Sequence, residues 1–381
     1  MAAKLRIEEI ASKMSKKAGD AKANPRDAIL PNISKGSVIP VISSSFRLEH
    51  IFHELAEDDG VTPEDESSTP EADDSTQKDD GATPADDDSN VVDVLIAEWA
   101  KQISYPMQDR SNLAQVAQYY LVDQNDDASA RSGMFNFLKE FLWRMVNTQI
   151  EDPALADGLA SGIEERRLSD LVEELDYPQF PAGTEDPLHL LARFPLPVYI
   201  TTSQSNFLER ALEAVGKTPL TQICFWSGEI PNLPEEHRPV GQLNPSFTNP
   251  VVYHLFGLED YPQTLVLSED DFISFLIAVT EDINTLNPKI PLYLRQAVAG
   301  SQLLLIGYRL SAWDFRVVFR LMMKFRHDGF SPRGMLIQLE DKDKKAVQYL
   351  RQYFGKKSFD IEWSDADSFI QELWSRWNTL R

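Results

Sequence analysis

The segment Gln302–Arg320, QLLLIGYRLSAWDFRVVFR, constrains the fold of this chain more than any other stretch. It opens on the apolar run Leu303 to Ile306, too short for a helix and suited to a strand buried on both faces. Gly307 follows, a residue without a Cβ, where backbone can approach a neighbouring segment or a ligand closely. Phe315, Val318, Phe319 and Met322 then recur at helical spacing. Strand, glycine turn and helix in that order form the local geometry of a nucleotide site in an open α/β sheet.

The same alternation runs through much of the sequence. SVIPVIS at 37–43 reads as the first core strand; it runs into the polar turn Ser43-Ser44-Ser45, and a helix is expected over 46–55. From Val91 to about Phe194 only helical signals occur. Val92, Leu95, Ile96 and Trp99 keep helical spacing, Ser111 is placed to cap a helix over 112–121, and 134–145 is an apolar core helix. The α/β pattern resumes at Pro197. Strands are expected at 198–201, 220–226, 251–255, 264–267, 335–339 and 359–363. Helices are expected at 204–215, from 268, at 292–299, at 342–354, and at 365–380 behind a Ser364 cap. This order predicts a doubly wound, mostly parallel α/β sheet with an inserted helical subdomain. The expected organisation is an N-terminal segment over 1–30, a core built from 31–55 and 195–381, a loop over 56–90, and a helical insertion over 91–194.

Composition narrows the function classes. The formal charge is −23, which opposes binding to nucleic acid or to anionic membrane on charge alone. Much of it is local: residues 57–88 hold fourteen Asp or Glu against one Lys, with no aromatic residue. Such a segment cannot bury enough apolar surface to offset its ordering entropy, so the acidic loop is expected to be disordered. One cysteine, Cys224, leaves no intrachain disulfide and no four-cysteine zinc module, and the six histidines show no metal-ligand spacing. No apolar segment is long enough to span a bilayer, and the first residues lack the apolar core of a signal peptide. A cytoplasmic protein is the expectation, with a protein partner or a second copy of the chain as its partner.

Three strands are expected to end in small or polar residues: at Ser43, Ser44 and Ser45; at Thr201, Thr202 and Ser203; and at Gly307. In a doubly wound sheet ligands bind outside the carboxyl ends of the strands. Hydroxyls beside a helix N-terminus can hold phosphate or ribose oxygens there, or can cap their own helices.

Four motifs in order, IPVISSSF at 39–46, YITTSQSNFLERAL at 199–212, VVYHLFGLEDYPQTLVLSEDDFISFL at 251–276 and the Gln302–Arg320 segment, resemble those of sirtuin-like domains, the silent-information-regulator-two type of bacterial conflict and anti-phage proteins. The resemblance implies a Rossmann-like core and a site for NAD at Ser43, Ser44, Ser45, Thr201, Thr202, Ser203, Gly257 and Gly307. The departures fall on the catalytic positions of the family. Ser43 and Ser45 stand where it has glycines, Ser203 where it has asparagine, Ser205 where it has aspartate, and Phe256 where it has the catalytic histidine. A phenyl ring cannot take a proton, and loss of general-base help costs about 100- to 10,000-fold. His254, two residues away and expected on the same strand face, is the substitute candidate; a packed, hydrogen-bonded histidine is the alternative. Capping or ion-pair roles are expected for Glu209, Asp270, Asp271 and Asp314.

Three functions follow. The chain binds NAD or an ADP-ribose relative as an effector or sensor in bacterial immunity; or it is a structural or interaction scaffold with an occluded crevice; or it is an NAD glycohydrolase with a non-standard base. Lysine deacylation is disfavoured by the missing zinc module and histidine.

Overall fold

The computed structural model describes residues 25–53, 90–125, 130–147, 150, 158–159, 161–227, 233–238, 243–281, 289–310, 312–326, 331–340 and 343–380. Residues 1–24, where Leu5, Ile10 and Met14 predict a short amphipathic helix, and nearly all of the acidic loop lie outside them.

Seven strands form one sheet: β1 (Val38–Ile42), β2 (Val198–Thr201), β3 (Leu220–Ile223), β4 (Val251–His254), β5 (Gln302–Ile306), β6 (Gly334–Gln338) and β7 (Phe359–Trp363). Their order is β3-β4-β2-β1-β5-β6-β7, and every pairing is parallel. The centre is fixed by five consecutive partners between β1 and β5, from Val38 with Gln302 to Ile42 with Ile306. Both strands are buried along their whole length, which is why they read as continuous apolar runs.

Alternation along each strand divides the core in two. Val38, Ile42, Tyr199, Val252, Leu304, Ile306 and Met335 face one cluster. Ile39, Val41, Ile200, Val251, Tyr253, Leu303, Leu305 and Leu336 face the other. The first cluster is covered by α1 (Pro25–Ser34), α2 (Ser44–Ile51), α3 (Val91–Gln102), α4 (Leu113–Asp123), α5 (Gly133–Val146), α6 (Leu168–Glu174), α7 (Pro187–Arg193), α8 (Phe207–Ala214) and α13 (Ala366–Thr379). The second is covered chiefly by α9 (Glu269–Glu281), α10 (Leu292–Gly300), α11 (Trp313–Phe325) and α12 (Lys344–Gly355). Helices on both faces of a parallel sheet confirm the doubly wound α/β class. Among the described residues between 91 and 194 there is no strand, as expected, and α3, α5 and α6 share the first cluster with β1 and α1.

Some expectations need correcting. Residues 264–267 are not a strand: a 3-10 turn spans Pro262–Thr264, and the segment after it is buried without joining the sheet. Its backbone groups are met piecemeal. The Val266 N–H donates to the Phe256 carbonyl at 3.1 Å, Gln204 Nε2 donates to the Val266 carbonyl at 3.0 Å, and Asp271 Oδ2 accepts from the Leu267 and Ser268 N–H groups. Burial made the run apolar, and side chains replaced the ladder. Two caps also move by one residue, because an amide or carboxylate reaches the free N–H groups: Asn112, not Ser111, caps α4, and Asp365, not Ser364, caps α13.

Gly307 holds a left-handed φ of 74°, and a Cβ built there would lie 2.6 Å from the Phe46 Cβ. Gly307→Ala is therefore expected to lower stability in chemical denaturation by about 2 kcal/mol or more. Gly355→Ala, where an added Cβ meets nothing within 4 Å, is expected to be neutral or slightly stabilising.

Candidate functional site

The chain leaves β1 toward β2 on one side of the sheet and leaves β5 toward β6 on the other, so the carboxyl ends of β1 and β5 form the topological switch point. The structure brings Ser43, Ser44, Ser45, Thr201, Thr202, Ser203 and Gly307 to that end of the sheet, with His254, Phe256 and Gly257 beyond β4. The crevice motifs therefore converge. Most of their polar groups, however, are spent on one another.

Each turn closes on the next strand. The Ser43 N–H donates to the Ile306 carbonyl at 3.0 Å, and the Thr202 N–H donates to the Ile42 carbonyl at the same distance. Ser44 N–H, at the start of α2, donates to Thr202 Oγ1 at 3.1 Å, and Ser45 N–H donates to Ser43 Oγ at 3.3 Å. Thr201 Oγ1 donates to the Ile42 carbonyl and accepts from the Ser203 N–H; Ser203 Oγ donates to the Ser205 carbonyl. Phe46 packs against Gly307, and the Tyr308 hydroxyl lies 3.5 Å from Thr202 Oγ1. Ser43, Thr201, Thr202, Phe46 and Tyr308 are all buried. Burial also pushes the Tyr308 phenol well up, so it is a neutral hydroxyl.

Phe256 and His254 do not share a face. β4 ends at His254, and the chain then turns, so Leu255 and Phe256 both enter the second cluster. Phe256 meets Phe272 and Phe275 of α9 edge-on, with ring centroids 5.2 and 5.4 Å away. The turn needs Gly257, whose φ is 86° and whose added Cβ would lie 2.4 Å from the Thr264 carbonyl oxygen.

His254 points to α8 and is fully buried. Its Nδ1 is 2.7 Å from the Ser203 carbonyl oxygen, and its Nε2 is 2.8 Å from Glu209 Oε1. The Ser203 carbonyl can only accept, so Nδ1 carries hydrogen, and a Glu209 carboxylate facing Nε2 favours the imidazolium. Burial opposes this charge, but the Glu209 carboxylate and the Ser203 carbonyl override it and hold the imidazole above its ordinary value. Burial likewise pushes Glu209 up, and the facing imidazolium, with Thr221 Oγ1 donating at 2.9 Å, brings it below the usual carboxylate range. A ring protonated on both nitrogens has no lone pair with which to take a proton. As arranged, His254 holds strand ends together.

The helical segment roofs the crevice. Arg309, just past β5, pairs with Asp93 of α3 at 2.5 Å. Arg131 forks onto Asp271 at 3.0 and 3.1 Å, Arg167 pairs with Asp260 at 2.8 Å, and the Leu168 N–H donates to Glu259 Oε2 at 3.1 Å. Asp270 exchanges hydrogen bonds with Gln118. The ion-pair and capping roles expected for Glu209 and Asp271 are thus observed; Asp270 instead bonds the neutral Gln118 amide, and the Asp314 carboxyl is raised by burial. Glu259 was not foreseen. Its Oε1 is buried without a partner, and burial pushes the carboxyl up to about 7 against the pull of the Leu168 N–H and the Ser205 hydroxyl. Its position two residues past Gly257 was the only signal in the sequence.

These charges give two pH-dependent expectations. A raised histidine stabilises below its unfolded value of 6.5, and this is lost as pH rises through the folded value. A lowered glutamate stabilises above 4.5, and this is lost as pH falls through the folded value. Glu209→Gln should therefore cost about 3 kcal/mol in the window between those two values and less on either side, read from denaturation at several pH values. Glu259 has the opposite sign to Glu209. Its contribution is present below 4.5 and lost as pH rises through about 7, so Glu259→Gln should gain on the wild type over that interval and keep the gain above it.

Among the described residues no group of three or more His, Cys, Asp or Glu is placed to hold a metal ion, and no helix is long and apolar enough to cross a membrane. Cys224 is buried. No curated protein matches the chain. Residues 197–358, from the edge of β2 to the edge of β7, match the model of the SIR2-like domain. That match omits β1 with its serine turn and the roof; together with the parallel sheet and its switch point it supports a sirtuin-like domain over residues 197–358.

Proposed function

We propose that this chain is a sirtuin-like module retained as a framework: an interaction protein whose nucleotide crevice is closed by its own side chains and roof, and which does not cleave NAD through a histidine base. The observation that carries the reading is the use of the α2 N-terminus. The N–H groups of Ser44 and Ser45, which would meet a phosphate, already donate to Thr202 and Ser43, and Phe46 occupies the space over Gly307. Domains of this type commonly bind NAD, and the residues present do not fit it as arranged. Phe256 is a core ring and His254 a buried cation, so neither supplies a base for NAD cleavage.

The working surfaces of such a module lie outside the crevice, and its partner is a protein or a second copy of the chain. The bacterial conflict setting implied by the resemblance belongs to the same proposal. A second reading is favoured by one observation. Ser44 and Ser45 are only half-buried, so displacement of the roof over α2 would present hydroxyls and N–H groups at the switch point to NAD or an ADP-ribose relative.

Incubation of the purified full chain with NAD distinguishes the readings when nicotinamide release and binding heat are followed in one sample. Neither signal is expected. Heat without release would favour the second reading, and prompt release at ordinary enzyme concentration would overturn both.

A further inference from the structure

The far end of the sheet carries a feature of opposite sign to the molecule. Between α9, α11 and the end of α12 lies a cleft of about 770 Å³, within the range of small-molecule sites. Among the described residues its lining includes Arg320, Lys324, Arg326, Lys356 and Lys357 and no acidic residue. In a chain with 60 acidic against 37 basic residues, this is a local reversal of charge. The cleft lies by the amino ends of the strands. Arg326 reaches the Ser301 carbonyl just before β5, and Lys357 lies just before β7.

Two of the five cations already serve the fold. Lys324 Nζ donates to the Val279 and Thr280 carbonyls in the last turn of α9, both at 2.7 Å. Arg326 donates to the Ser301 and Pro332 carbonyls. Arg320, Lys356 and Lys357 are exposed and have no carboxylate partner among the described residues. The α12 C-terminus accounts in part for Lys356 and Lys357. It does not account for Arg320, which stands more than a turn before the end of α11. The floor is apolar, with Leu276, Val279, Leu321 and Met323.

We infer that this cleft is a binding site for a small anion carrying at least two terminal phosphate groups, a requirement that the internal diphosphate bridge of NAD does not meet. Three uncompensated cations exceed what one carboxylate neutralises. The Arg320 guanidinium offers a planar fork suited to phosphate oxygens, the two lysines are mobile point charges, and the apolar floor receives the organic part of the ligand. The net charge of the rest of the molecule repels anions that do not find this cleft. The site is separate from the switch-point crevice and does not depend on whether that crevice opens.

Calorimetric titration of the full chain with inorganic pyrophosphate and with fructose 1,6-bisphosphate tests it. Saturable binding at one site is expected for both, tighter for the organic bisphosphate. The triple variant Arg320→Ala, Lys356→Ala, Lys357→Ala should weaken both by about tenfold or more. Lys344→Ala with Lys345→Ala, which removes exposed charge from the other end of α12, should leave binding unchanged. Absence of saturable binding, or equal weakening in the two variants, overturns the site. So does binding that emerges only after the acids of residues 57–88 are replaced by Gly and Ser, since the cleft would then serve the chain's own acidic stretch.

Discussion

The pairing of β1 with β5 is the constraint on which the rest of the molecule depends. Val38–Ile42 and Gln302–Ile306 are far apart along the chain, yet five residues of each align in register. That register sets Ser43 beside Ile306, Phe46 over Gly307 and Tyr308 against Thr202. A slip by one residue would turn Leu304 and Ile306 into the wrong cluster and dismantle both faces at once. A parallel pair buried on both sides tolerates no such slip, and so the geometry of the switch point is as rigid as the core beneath it.

The carboxyl end of the sheet keeps the architecture of a nucleotide fold while its turns are tied to one another. Most of the groups that could address a ligand have found an internal partner. Hydroxyls close turns, helix-start N–H groups meet Thr202 and Ser43, and the Phe256 ring completes an aromatic trio with Phe272 and Phe275. The His254–Glu209 pair then ties β4 to α8 by charge in a dry setting. Such a pair is costly to break on one side, whatever its net gain over an apolar substitute. The ion pairs of Arg131, Arg167 and Arg309 fasten the helical segment over these residues.

The framework was legible in the sequence because burial on both faces writes itself locally. Short apolar runs marked β2 and β7 to the residue, and β1, β4, β5 and β6 within a residue or two. The 264–267 run carries the same local signature and is not a strand, since burial alone does not say whether a neighbouring strand or the Gln204 amide meets the backbone. Convergence of the serine and threonine turns was legible from the α/β order. Their closure was not. It depends on contacts between distant residues, such as Arg309 with Asp93 and Leu168 with Glu259, that no spacing encodes. His254 was visible as a histidine near the right strand end. Its charge state was invisible, because it is set by Glu209 and by a backbone carbonyl.

The position of β1 has a consequence for synthesis. Translation delivers this strand well before either of its neighbours: β2 begins at Val198 and β5 at Gln302. At about 5–20 residues per second, roughly 10–50 s separate the emergence of β1 from that of β5. Throughout that interval the apolar VIPVI segment has no parallel partner on its β5 side, while the helical segment that shares its cluster is made before β5. The nascent chain must shelter an unpaired strand against helices before the sheet exists. The roof of the finished crevice is thus also the first surface available to protect its central strand.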